Sequence, residues 1–231
     1  MDIEYEKIKE IRGNNQEELS EVPKMVDTLQ MQEIIRNING NINDFKIAAA
    51  NKDLDSSINA LTKVLYSILD GFVQEGIYPG SIFDIVLLYK FDRIWMDGKI
   101  HYNEFHEIVP PRNWSIPYND FRKELSLMES GNYQMSENDL EKDYEKVVEL
   151  YIQSGFPYRN ELSLIDEKEA NKLSYRLYYM LESYLNSDDS LEVAQRLGEI
   201  LYTVMCTFVE MGCNPKEYLD SYIEERKGKT R

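Results

Sequence analysis

The sequence predicts an all-α protein built from two tandem repeats, and three observations carry that prediction. One pattern is stated twice: Leu61–Asp84 reads LTKVLYSILDGFVQEGIYPGSIFD, and Leu197–Asp220, 136 residues on, reads LGEILYTVMCTFVEMGCNPKEYLD. Without a gap, 8 of 24 positions are identical: Leu61/Leu197, Leu65/Leu201, Tyr66/Tyr202, Phe72/Phe208, Val73/Val209, Gly76/Gly212, Pro79/Pro215 and Asp84/Asp220. Self-similarity of this kind marks a duplicated supersecondary unit. Apolar residues recur at helical spacing, as in Ile58, Leu61, Leu65, Ile68 and Phe72. Eleven Gly and seven Pro in 231 residues are too few for a turn-rich β architecture.

Residues 1–22 are charged, with a short amphipathic start before a polar stretch. After Pro23, a helical pattern places Met25, Leu29, Ile34, Ile35, Ile38, Ile42 and Phe45 roughly on one side, with a kink or break expected at Gly40. The NKDLDSS turn at 51–57 offers an Asp or Ser N-cap for a helix from Ser56 to Glu75, ended by Gly76. A shorter helix is expected from Ser81 to about Ile94. The segment 95–117 reads as a small hairpin or arm, because Asp97-Gly98 is a turn signal and Pro110-Pro111 stops regular structure. A linker then runs to about Asn119. Helices follow over Glu141–Ser154, Asp166–Leu185, Leu191–Met211 and Lys216–Lys227. The expected division is 1–118 and 119–231.

Composition narrows the function. With 42% hydrophobic residues the chain can bury a core, and with a net charge of −16 it is a poor partner for nucleic acid, whose phosphates demand clustered Lys and Arg. Cys206 and Cys213, seven residues apart on one helix, are about 10 Å apart along its axis, too far for a disulfide. Free thiols and the lack of a long apolar run imply a cytoplasmic protein away from membranes.

Two helices separated by a short Asp-containing turn, a Leu-Tyr pair in the second, then Gly-x-x-Pro and a third helix resemble the all-α MazG-like nucleotide pyrophosphohydrolases. The stretch 82–114, IFDIVLLYKFDRIWMDGKIHYNEFHEIVPPRNW, looks like the tail of the Cof-like, phosphoribosyl-ATP-pyrophosphohydrolase-related branch, and 144–164 is similar to the segment preceding that branch's catalytic helices. The resemblance covers most of 25–116 and 140–229. It implies two helical bundles that satisfy the family's subunit contact inside one chain, as an intramolecular pseudo-dimer. It also implies a Mg²⁺ site made of an E-x-x-E pair on one helix and an E-x-x-D pair on the next, since hard cations take carboxylate oxygens.

The chain departs from that pattern. The E-x-x-D positions hold Arg196 and Glu199 in the second repeat and Ala60 and Lys63 in the first. The E-x-x-E pair falls near Arg176 and Tyr179, with Glu182 one turn on, and near Gly40 and Asn43 in the first repeat. The family's Asn-x-x-Lys corresponds to Lys90 and Arg93, and to Arg226 and Lys229.

Three functions follow. In a non-catalytic scaffold for a protein partner, Glu182 and Glu199 are ordinary solvated positions, and homo-oligomers are open. In a non-catalytic binder of a nucleotide or nucleotide-derived ligand, Arg176, Tyr179, Arg196, Lys63, Lys90 and Arg93 hold phosphate without a metal, since Arg pairs with phosphate directly; Tyr175, Tyr178 and Tyr179 are candidates to stack a base. The alternative is a divergent Mg²⁺-dependent pyrophosphohydrolase using Glu182, Glu192 and Glu199. His101, Glu104, His106 and Glu107 have metal-ligand chemistry, but strand alternation would split them between faces.

Overall fold

The computed structural model describes residues 1–14, 28–97, 116–130, 139–155, 158–185 and 189–229. Among them are nine helices and no strand: α1 (Asp2–Asn14), α2 (Thr28–Ala50), α3 (Leu54–Glu75), α4 (Pro79–Asp97), α5 (Tyr118–Ser130), α6 (Leu140–Ser154), α7 (Glu167–Leu185), α8 (Ser190–Glu210) and α9 (Lys216–Lys229). The all-α expectation holds. Adding 136 to α1, α2, α3 and α4 lands on α6, α7, α8 and α9 to within a turn at nearly every end.

Local chemistry sets the ends. Asp53, Asp139 and Asp189 are N-caps that accept from Ser56, Lys142 and Leu191 main-chain N–H groups at 3.0, 3.1 and 2.9 Å. Gly76 and Gly212, an identical repeat pair, both follow their helices with positive φ, 67° and 65°. At Gly212 space is refused as well: an added Cβ would lie 2.4 Å from the carbonyl oxygen of Glu161.

One core runs through both halves. Leu65, Leu201, Phe72 and Phe208 are all 0% exposed and belong to a single hydrophobic cluster. α3 packs against α8 and α2 against α7, each helix on its counterpart. The last helices are exchanged: α4 lies on α8, and α9 lies on α3. The approach of α4 to α8 depends on Gly198, where a Cβ would meet Ile82 Cγ2 at 2.5 Å. Hydroxyls inside this core bond back to their own helices. Thr62, Ser174, Thr203 and Thr207 donate to the carbonyls four residues earlier at 2.7–3.0 Å, which removes the penalty of an unmade bond.

α1 ties these parts together with polar contacts. Asp2 accepts from Gly80 N–H at the start of α4 (2.8 Å), and Glu4 accepts from Leu140 N–H at the start of α6 (3.0 Å). Lys7 reaches Asp220 of α9 at 2.5 Å, while Lys146 of α6 reaches Asp84 of α4 at 2.8 Å. Asp84 and Asp220 are a repeat pair, so each half's last helix is tied to a helix of the other half.

Several boundaries are corrected. α2 is continuous through Gly40. Trp95–Asp97 continue α4, so the expected arm does not begin at Trp95; the helix ends where Asp97-Gly98 stands, and 98–115, with the His101–Glu107 cluster, lie outside the described residues. The linker expected to about Asn119 is followed by a helix that the sequence reading did not place, α5, which begins at Tyr118 and buries Phe121. The charged start is helical as far as Asn14, because Tyr5, Ile8 and Ile11 form a buried stripe.

Candidate functional site

Lys63 on α3 and Glu199 on α8, 136 residues apart, mark two poles, and the structure treats them differently. On α8, Glu199 is 4% exposed. The expectation of a solvated Glu199 is therefore wrong, because α5 and the residues before it cover this part of α8. Its Oε1 accepts from the Ile116 main-chain N–H at 3.0 Å and from Gln195 Nε2 at 3.0 Å. Gln195, fully buried, also donates to the Ile116 carbonyl at 2.6 Å. Arg196, half-buried, lies 3.6 Å from Glu192 and 3.6 Å from Glu199. Arg196 Nε and Gln195 Oε1 are buried without a protein partner. Below this pole the Tyr118 hydroxyl bonds to the N-cap Asp189, and the Arg122 guanidinium lies 5.9 Å from the Tyr118 ring centre. Burial and then the bond to Asp189 push the Tyr118 hydroxyl up to about 12, leaving it a neutral donor near neutral pH.

The α3 pole is built from cations and rings. Ala60 is buried, and Lys63 is half-buried with no ion pair among the described residues. One turn on, the Tyr66 ring carries Arg226 of α9 at 5.5 Å and meets Tyr222 edge-on at 5.1 Å. Burial raises the Tyr66 hydroxyl, Asp70 adds to the rise, and Arg226 opposes both. Asp70 itself is held by Arg12 of α1 through two bonds of 2.5 and 2.6 Å. Ser67 donates to the Lys63 carbonyl at 2.9 Å and accepts from Asn41 of α2 at 3.5 Å. α9 crosses onto α3, so side chains of four helices reach this stretch of α3: Arg12 holds Asp70, Asn41 donates to Ser67, Arg226 lies over Tyr66, and the charge of Lys63 acts on Glu225 of α9.

The other expected residues are distributed more widely. Lys90 and Arg93 fall on α4, and Arg176, Tyr179 and Glu182 on α7, with side chains outside the described set. Tyr175 is 77% exposed and Tyr178 37%, so neither belongs to the core. Tyr175 lines a shallow cleft with Asp166, Glu167, Lys168 and Asn171. Sequence reasoning placed Lys63 and Arg226 separately but missed that α9 brings Arg226 over Tyr66 of α3, and it missed Gln195 and Ile116 entirely. A buried Gln one turn before Glu199 was the available signal.

Among the described residues, no group of three or more His, Cys, Asp or Glu is placed to hold a metal ion. Both cysteines are buried free thiols, and burial raises the Cys213 thiol to about 11, which keeps it protonated. No described helix is long and apolar enough to cross a membrane. The chain matches no protein-family model, no curated protein and no solved structure.

Proposed function

We propose that the chain is a non-hydrolytic MazG-like protein whose two degenerate repeats form an intramolecular pseudo-dimer. On this reading it binds a phosphate-bearing nucleotide or nucleotide-derived ligand at the α3 pole. One observation carries the reading: at the positions where the family holds metal, the side chains are Ala60, Lys63, Arg196 and a Glu199 committed to main chain. A metal-dependent hydrolase needs several carboxylates converging on one ion. Of the three acids left for that alternative, Glu199 is engaged with Ile116, Glu192 lies beside Arg196, and Glu182 is outside the described set. A phosphate needs cations and donors instead: Arg226 stands beside the Tyr66 and Tyr222 rings, and Lys63 lies one turn before Tyr66 on α3. The chain's −16 charge works against long polyanions, which restricts the ligand to a small molecule seated on a local cationic pair.

The test is a thermal-shift series with pyrophosphate and nucleotides in EDTA. A ligand at a hundredfold its Kd adds about 2.7 kcal/mol. Lys63→Glu should abolish the shift, and Mg²⁺ or Mn²⁺ should elicit no pyrophosphate release from nucleoside triphosphates. Turnover that is lost in Glu199→Ala would reinstate the enzyme. A second reading, a scaffold for a protein partner, is supported by the exposure of Tyr175 and Tyr178 on α7. It prevails if no phosphate ligand shifts the melting point and those tyrosines prove essential for a complex.

A further inference from the structure

α5 and the two residues before it lie between the repeats, and none of the first half's helices corresponds to them. What fastens them is specific to the second half. Gln195 and Glu199 stand where the first half has Asn59 and Lys63, and a lysine ammonium has no lone pair with which to accept an N–H bond. Both main-chain groups of Ile116 are engaged: its N–H by Glu199 at 3.0 Å and its carbonyl by Gln195 at 2.6 Å. The Gln195–Glu199 bond of 3.0 Å joins the two side chains, and the Ile116 side chain is itself 2% exposed. This is how an extended peptide is recognised, by donor and acceptor together with a seat for the side chain. A buried carboxylate left without such donors would be costly, so the contact is held firmly.

We propose that Gln195 and Glu199 are a main-chain clamp that fastens Ile116 across α8 and closes the Arg196 pole, leaving one phosphate-binding pole per chain. The inference rests on the functional reading above in taking both poles as relics of equivalent ligand sites. Gln195 and Glu199 are positioning residues in it: they act by holding Ile116, not by touching ligand. Arg196, drawn towards Glu192 and Glu199, becomes available to an anion only when the clamp is released.

Two measurements on the full chain test this. Hydrogen exchange should show the amides of Ile116, Asp120 and Phe121 protected, with exchange about tenfold or more faster at all three in Glu199→Ala and at Asp120 and Phe121 in Ile116→Pro. Ile116→Pro removes the donor while leaving α8 untouched, which covers the case of a poorly folding Glu199→Ala. Glu199→Gln keeps an acceptor oxygen and should restore protection to within about twofold of the parent. Calorimetry with pyrophosphate in EDTA should find one equivalent bound by the parent and two by Glu199→Ala and Ile116→Pro. The second equivalent should vanish when Arg196→Ala is added to Glu199→Ala. Two equivalents in the parent, unchanged exchange in both releasing variants, or faster exchange with no gain of binding would each overturn the proposal. A parent that binds none, with released variants that gain one Arg196-dependent equivalent, would uphold the clamp and sink the α3-pole reading instead.

Discussion

Lys63 and Glu199 occupy the same position of the repeat, yet the charge of one acts on Glu225 of a neighbouring helix and the other holds a peptide bond. The apolar sides of α3 and α8 have barely diverged: Leu61, Leu65 and Phe72 match Leu197, Leu201 and Phe208, all buried to 1% or less. The polar sides have separated almost completely. The difference teaches where constraint lies when two similar helical stretches share one core. An apolar residue at the shared seam touches both halves and is fixed by packing density. A polar residue at either pole answers only to its local neighbours.

The largest effect should come from breaking the shared side. Phe72→Ala and Phe208→Ala each empty a fully buried site in one continuous core, and each should cost about 3–5 kcal/mol in urea unfolding. Similar costs and one cooperative transition in both variants would sharpen the comparison. A variant that unfolds only its own half would break it, because the α4–α8 and α9–α3 exchanges leave neither half with a complete set of neighbours.

A smaller effect tests a position where the halves differ inside the core. Glu75 at the end of α3 is 8% exposed, and its counterpart on the repeat is Met211, fully buried. Burial raises the Glu75 carboxyl to about 7. A folded value above the unfolded one means that the native state binds the extra proton, so stability falls as pH rises from about 4 to about 7 and then levels off. The helix C-terminus, itself negative, adds to the cost of the ionised form. Glu75→Met should therefore stabilise by about 1–3 kcal/mol at pH 8. The ionisation part of that gain should shrink steadily as unfolding is repeated towards pH 4. A gain that does not vary with pH would mean that Glu75 is solvated in the native state.

The sequence revealed the shared side because periodicity is local: α2, α3, α6, α7, α8 and α9 begin and end within a few residues of their expected bounds. α5 escaped because its apolar residues at helical spacing, Phe121, Leu125 and Met128, span only two turns, too short a run to stand out beside the longer helices. The start of the arm was misplaced for a related reason, since no turn residue precedes Asp97-Gly98 to show that Trp95–Asp97 still belong to α4. The α8 pole was half legible. Arg196 and Glu199 could be placed by counting, but the partner that decides the role of Glu199 is Ile116, 83 residues away. No spacing rule reaches that far.

The smallest effect separates the two reciprocal ties. Among the described residues Asp84 is bound by Lys146 at 2.8 Å, whereas Asp220 has Lys7 at 2.5 Å and Lys216 at 3.1 Å. All these groups are between about a fifth and a third exposed, so water screens them and each tie contributes little. Asp84→Asn should cost no more than about 0.5 kcal/mol and Asp220→Asn about 1 kcal/mol, with both penalties falling at high salt. Asp220 also carries a pH signature. Burial raises its carboxyl, but the hydrogen bonds from Lys7 and Lys216 outweigh burial and hold it below the ordinary range. A depressed folded value stabilises above the unfolded value near 4 and is lost as pH falls through the folded one. The penalty of Asp220→Asn should accordingly be full at pH 7 and fade below about pH 4, measured by urea unfolding at each pH. A penalty that persists in acid would mean that Asn fails to replace something other than the charge of Asp220, and that charge does not hold α9 to α1.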